Sequence, residues 1–110
     1  MQLELEPDLQ VVGETGDGAS ALQMIRELRP EVVVLDVRMK GMDGLTLLEK
    51  LESLGSRRPA VVMLSLHDDA ITRAHAFAAG ARAFVGKHEP GEALLAAIRE
   101  CGLQAAGGRR

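Results

Sequence analysis

Short apolar runs alternate along this chain with segments of helical period. Leu9-Gln10-Val11-Val12 is a short strand candidate. Asp17 is placed to cap a helix running to about Leu28, because its carboxylate can accept from backbone N–H groups that the first turn leaves free. That helix would put Ala21, Leu22, Ile25 and Leu28 on one face, and Pro30 stops it. Val32-Val33-Val34-Leu35 has no polar interruption and ends at Asp36. Such a run predicts a strand buried on both faces, as in a parallel sheet. A loop follows, and Asp43 can cap a helix from Gly44 to about Leu54, with Leu45, Leu48 and Leu51 inward and Gly55 as its stop. Ala60 to Leu64 is a second buried run, ending at Ser65. Asp68 or Asp69 can cap a helix from about Ala70 to Ala79, closed by Gly80. Ala83-Phe84-Val85 is a short strand ending near Lys87. Pro90 suits a first helical position, and Glu92, Leu94, Leu95 and Ile98 define a last amphipathic helix to about Cys101. The Gly- and Ala-rich tail, Gly102 to Arg110, is expected to be flexible.

The order is strand then helix, four times over. With short loops, that alternation predicts an α/β domain whose parallel sheet is covered by helices on both sides. Right-handed crossovers bring the C-terminal end of every strand to one edge, where such folds place their ligands. Asp36, Ser65 and Lys87 each stand at or just after the end of a different strand. In isolation Asp36 would also pass for a turn residue. A carboxylate, a hydroxyl and an ammonium meeting at one edge suit phosphoryl transfer to the carboxylate. The oxygen attacks in line, and the charge on the transferred group needs donors and cations around it.

Composition narrows the function classes. The chain has 110 residues, a formal net charge of −3 and 46% hydrophobic residues, with Phe77 and Phe84 as its aromatics. An acidic balance argues against a nucleic-acid surface on this chain, since the basic pairs Arg57-Arg58 and Arg109-Arg110 are too short to make one. The single cysteine, Cys101, excludes an internal disulfide and reads as a packing residue. No apolar stretch is long enough to cross a membrane and no secretion signal opens the chain, so a cytoplasmic protein is expected. Gly13, Gly16 and Gly18 do not make a dinucleotide motif. His67, His75 and His88 lack metal-ligand spacing.

The segment from Val33 to Gly44, with Asp36 in its midst, resembles the phosphoacceptor loop of bacterial response-regulator receivers. Val62-Met63-Leu64-Ser65 with His67-Asp68-Asp69 is similar to their fourth strand and switch serine. Gly80 to Lys87 resembles their fifth strand, with its aromatic position and lysine. The likeness runs from about Leu3 to Cys101, and the wording around Val12-Gly13-Glu14 and Lys87-His88-Glu89-Pro90 is similar to receivers joined to helix-turn-helix outputs. It implies a flavodoxin-like doubly wound sheet in a two-component signalling protein of transcription regulation. Asp36 would accept the phosphoryl group from a histidine kinase. Ser65 and Lys87 would bind that group, and Phe84 would swing inward as Ser65 moves. Mg2+ would lie on Asp36 and the Arg38 backbone carbonyl. DNA would be reached only through an output domain outside this chain.

The chain also departs from that pattern. Met1 to Glu6 resembles only the end of the family's first helix, so the first strand and its paired acids are missing from the sequence, and residues 1–101 form a shortened receiver. Magnesium binding is therefore expected to be weak. The gap in the sheet would be closed by pairing Leu9–Val12 with Val32–Leu35 or by strand exchange in a homodimer; the alternative is that Met1 is not the natural start and the natural protein is longer. Lys40 stands where proline is common. The runner-up reading is a receiver-like dimerisation or protein-binding module that takes no phosphate. A phosphatase is disfavoured because Asp36-Val37-Arg38 lacks a second Asp two residues on.

Overall fold

The computed structural model describes residues 15–38, 41–66 and 70–108, with side chains left undescribed at 56–57 and 103–108. The order is α1 (Gly18–Leu28), β1 (Val32–Asp36), α2 (Gly44–Leu51), a 3-10 helix (Glu52–Arg57), β2 (Ala60–Ser65), α3 (Ala70–Ala78), β3 (Ala83–Gly86) and α4 (Gly91–Gly108). The strands form one parallel sheet in the order β1-β2-β3. Val34 pairs with Val62, and Met63 with Phe84. The strand expected at Leu9–Val12 and the caps expected at Asp68 and Asp69 lie outside the described residues.

Alternation along the strands divides the core in two. Val33 and Leu35, Val61 and Met63, and Phe84 point to one face, where Ala21, Ile25, Leu47, Leu48, Leu51 and Ala76 meet them. Val32 and Val34, Val62, and Val85 point to the other, against Ala97, Ile98 and Cys101 of α4. Thus α1, α2 and α3 cover one side, and α4 covers the other.

Local signals explain most boundaries. Asp17 accepts from the N–H groups of Ala19 at 2.8 Å and Ser20 at 3.3 Å, and Asp43 from Thr46 N–H at 2.8 Å, so both expected caps form. Gly80, at φ +110°, lies just beyond α3.

Four expectations need correcting. The helix foreseen to Leu54 is regular only to Leu51 and then tightens into a 3-10 helix, broken at Gly55 with φ +56°. Leu47, not foreseen as inward, is fully buried with Leu48 and Leu51, while Leu45 packs half-buried against the same core as expected. In α1, Ala21 and Ile25 are buried, whereas Leu28, in the last turn, is 47% exposed. The last helix does not stop at Cys101 to leave a tail but continues through Gly108. The residues that follow Gly102, namely Leu103, Gln104, Ala105 and Ala106, are good helix formers.

β1 also departs from the buried strand that its sequence suggests. Only Leu35 is fully buried, whereas β2 is buried at every position but Leu64. The difference follows from position. β2 has a strand on each side, and β1 pairs with β2 alone among the described residues.

Candidate phosphoacceptor site

Strand direction assembles the site. Parallel pairing aligns Asp36 with Leu64 and Ser65 with Gly86, so the three strand ends form one rim. Asp36 is the last residue of β1 and Ser65 the last of β2; Lys87 comes directly after β3. Across the rim, the Lys87 ammonium donates to Asp36 Oδ2 and forms an ion pair with it, both side chains being 33% exposed. The other carboxylate oxygen, Oδ1, accepts from the Arg38 N–H at 3.2 Å. Ser65 is buried between them, at 4% exposure, and its backbone carbonyl accepts from Lys87 N–H at 2.7 Å.

The loop after Asp36 is held from below. Val37 N–H donates to the Leu64 carbonyl at 2.8 Å, and Gly44 N–H donates to the Val37 carbonyl at 2.9 Å. A side chain at Gly44 would collide with the Asp36 carbonyl, so glycine lets α2 begin directly against the end of β1.

Phe84 lies on the strand next to Ser65's and is 5% exposed, so its ring is inward in this structure. The Arg73 guanidinium of α3 stands over the ring, 5.1 Å from its centre. Arg58 approaches the other end of α3 and donates to the Ala79 carbonyl at 2.7 Å. Neither arginine was singled out for this part, because their partners are distant in sequence and no local motif announces the contacts. Glu89, whose place in the Lys87–Pro90 segment does not announce the contact, accepts from the Gly86 N–H at 2.6 Å.

The geometry can bind a small tetrahedral anion beside a nucleophilic carboxylate. A half-exposed oxygen acid, a neighbouring ammonium and backbone donors at a sheet edge are what such a group requires. Among the described residues, no cluster of three or more His, Cys, Asp or Glu could hold a metal ion. Asp17 and Asp43 are committed to helix caps, so Asp36 supplies the carboxylate of this rim. Magnesium commonly takes only one or two carboxylates and completes its shell with water and phosphate oxygens. Among the described residues, Asp36 is thus one carboxylate at this rim that such an ion could use.

Fold and rim together define a parallel α/β module with a carboxylate–amine pair at the C-terminal edge of its strands. Residues 1–99 match the family model described as "Response regulator receiver domain", and the chain belongs to that family. It is 39% identical over 97 residues to the nitrate/nitrite response regulator protein NarP of Escherichia coli, covering 88% of this chain and 45% of that protein. It is 42% identical over 94 residues to a protein-glutamate methylesterase/protein-glutamine glutaminase of Moorella thermoacetica, covering 84% of this chain and 22% of that protein. The chain therefore spans less than half the length of either relative. Among solved structures, the signal receiver domain of the response regulator NarL from Mycobacterium tuberculosis superposes with a TM-score of 0.85 at 34% identity, covering 92% of this chain and 81% of that one. No helix of the described residues is long and apolar enough to cross a membrane.

Proposed function

We propose that this receiver accepts a phosphoryl group on Asp36 from the phosphohistidine of a histidine kinase and passes the change to a partner surface around α3 and β3. The observation that carries the reading is the direct pairing of Lys87 with Asp36 at the rim. An Asp36 oxygen attacks phosphorus, the bond from phosphorus to the donor nitrogen breaks, and the acyl phosphate forms. Lys87 exchanges its carboxylate partner for a phosphoryl oxygen, which neutralises part of the added charge. Ser65, at the end of the central strand, offers a hydroxyl donor to another oxygen. Magnesium, held by Asp36 and the Arg38 carbonyl, would add positive charge beside the phosphoryl oxygens. Drawing Ser65 toward the anion changes the space beside Phe84, and the Arg73 contact carries that change into α3.

What the switch controls follows from the relatives only as a proposal. NarP is a response regulator, and the Moorella thermoacetica protein bears the name of an esterase and glutaminase. A receiver can thus serve a regulator or an enzyme. We assign this chain to transcription regulation, with DNA contacted by an output module and not by these acidic 110 residues.

The test is incubation with acetyl phosphate and magnesium, followed by intact-protein mass measurement. Gain of one phosphoryl group, abolished by Asp36→Asn, is the expected result. No gain in the unaltered chain would leave the binding-module reading in its place.

A further inference from the structure

A lysine side chain is long and flexible, so its aim depends on the backbone that carries it. Lys87 stands in a turn that folds back on the last residue of β3. Glu89 N–H donates to the Gly86 carbonyl at 3.0 Å, and Glu89 Oε2 accepts from the Gly86 N–H at 2.6 Å. The glutamate thus holds both backbone groups of one buried glycine. The cover is tight. A β-carbon at Gly86 would lie 2.5 Å from His88 Cε1 and 3.3 Å from Glu89 Oε2, so the side chains of the turn lie directly over this glycine. Between these anchors, Lys87 is tied by its N–H to the Ser65 carbonyl and by its ammonium to Asp36.

We propose that Glu89 is a positioning residue for the phosphoacceptor site: its carboxylate locks the 86–89 turn and thereby aims Lys87 at Asp36 and at an anion bound there. The part concerning the anion rests on the reading of Asp36 as phosphoacceptor; the part concerning the turn does not. Glu89 touches neither Asp36 nor the anion and acts through Lys87. Glutamine at 89 keeps an oxygen that can accept from Gly86, whereas alanine leaves that buried N–H without this partner.

The experiment compares Glu89→Ala, Glu89→Gln, Lys87→Ala and Lys87→Ala/Glu89→Ala with the unaltered chain. In unphosphorylated protein, Glu89→Ala should speed amide exchange at Gly86 and Lys87 and shift the Lys87 ammonium resonance toward its position in Asp36→Asn. Glu89→Gln should restore both. With acetyl phosphate and magnesium, Glu89→Ala should slow phosphorylation by about three- to tenfold, the size expected for one hydrogen bond of ordinary strength. The same change should cost nothing further in the Lys87→Ala background. Unchanged exchange in Glu89→Ala, or an equal slowing with and without Lys87, overturns the proposal. A chain that takes no phosphate sinks the reading of Asp36, and the clasp is then judged on exchange and on the ammonium resonance.

Discussion

At the scale of single residues, charge is used in two different ways. The rim pair is half-exposed, so its Coulomb energy is screened and contributes little to stability. Its value under the proposed function is chemical, because it holds a cation where the phosphoryl group would add negative charge. Removing it should leave the fold nearly unchanged: Lys87→Ala is expected to alter stability by less than about 1 kcal/mol in urea titration while slowing phosphorylation. Arg58 has the opposite role. Its guanidinium donates to the Ala79 carbonyl at the C-terminal end of α3, where the helix dipole favours positive charge. Arg58→Ala should cost about 1.5–3 kcal/mol, the range for a hydrogen bond to a charged group, with no direct effect on the rim. Cys101 is 3% exposed, and burial pushes its thiol above the ordinary value, with Arg82 opposing the shift. A raised thiol binds its proton more tightly in the folded state. Stability from this source is therefore present below the ordinary thiol value and is lost as pH climbs through the raised one. Labelling of native protein by a disulfide reagent at mildly alkaline pH should accordingly lag far behind labelling of urea-unfolded protein. Equal rates would contradict the burial.

At the scale of elements, what could be read from the chain depended on whether the signal was local. The caps at Asp17 and Asp43 were legible because the acceptor and its N–H partners lie within three residues. The ends of β1 and β2 were legible because an apolar run stops there at Asp36 and at Ser65. Those ends and that of β3 bring Asp36, Ser65 and Lys87 to one rim, a juxtaposition that followed from topology. The unforeseen features are non-local. Periodicity could not show that Leu47 would be buried beside Leu48, since its environment comes from strands and helices elsewhere in the sequence. The extension of α4 past Cys101 was hidden by glycines that argue for a stop, although the residues after Gly102, Leu103 to Ala106, favour a helix. The half-burial of β1 was illegible because a run of valines says what the strand could bury and not what covers it. The caps themselves give a direct prediction. Asp17→Ala and Asp43→Ala should each cost about 1 kcal/mol in thermal or urea unfolding.

Over the whole molecule, the packing is uneven, and the unevenness lies beside the site. β2 passes through the centre with Val61, Val62 and Met63 at 0% exposure, and both core clusters lean on it. α3 is the reverse. Of its residues only Ala76 is buried, while Ile71 is 82% and Phe77 44% exposed. With so little apolar area removed from water, polar contacts must supply much of what holds this helix. Two such contacts are Arg58, which donates to the Ala79 carbonyl just past the helix, and the helix's own Arg73, which reaches out over Phe84. Cation–ring contacts contribute about 0.5–1 kcal/mol at exposed sites and more when desolvated. An element anchored in this way can detach without unfolding the sheet, and elements that move in signalling come from the low-stability end of a fold. Native-state hydrogen exchange should therefore show α3 opening at a free energy well below that of β2. Arg58→Ala and Arg73→Ala should each speed exchange in α3 by a larger factor than in β2. Met63→Ala, which empties the centre at a cost of about 2–5 kcal/mol, should instead speed exchange throughout. If α3 proves as protected as β2, or if the arginine variants loosen both alike, the helix next to the aromatic position is not a separately movable part. The route from Asp36 to a partner would then have to run through another surface.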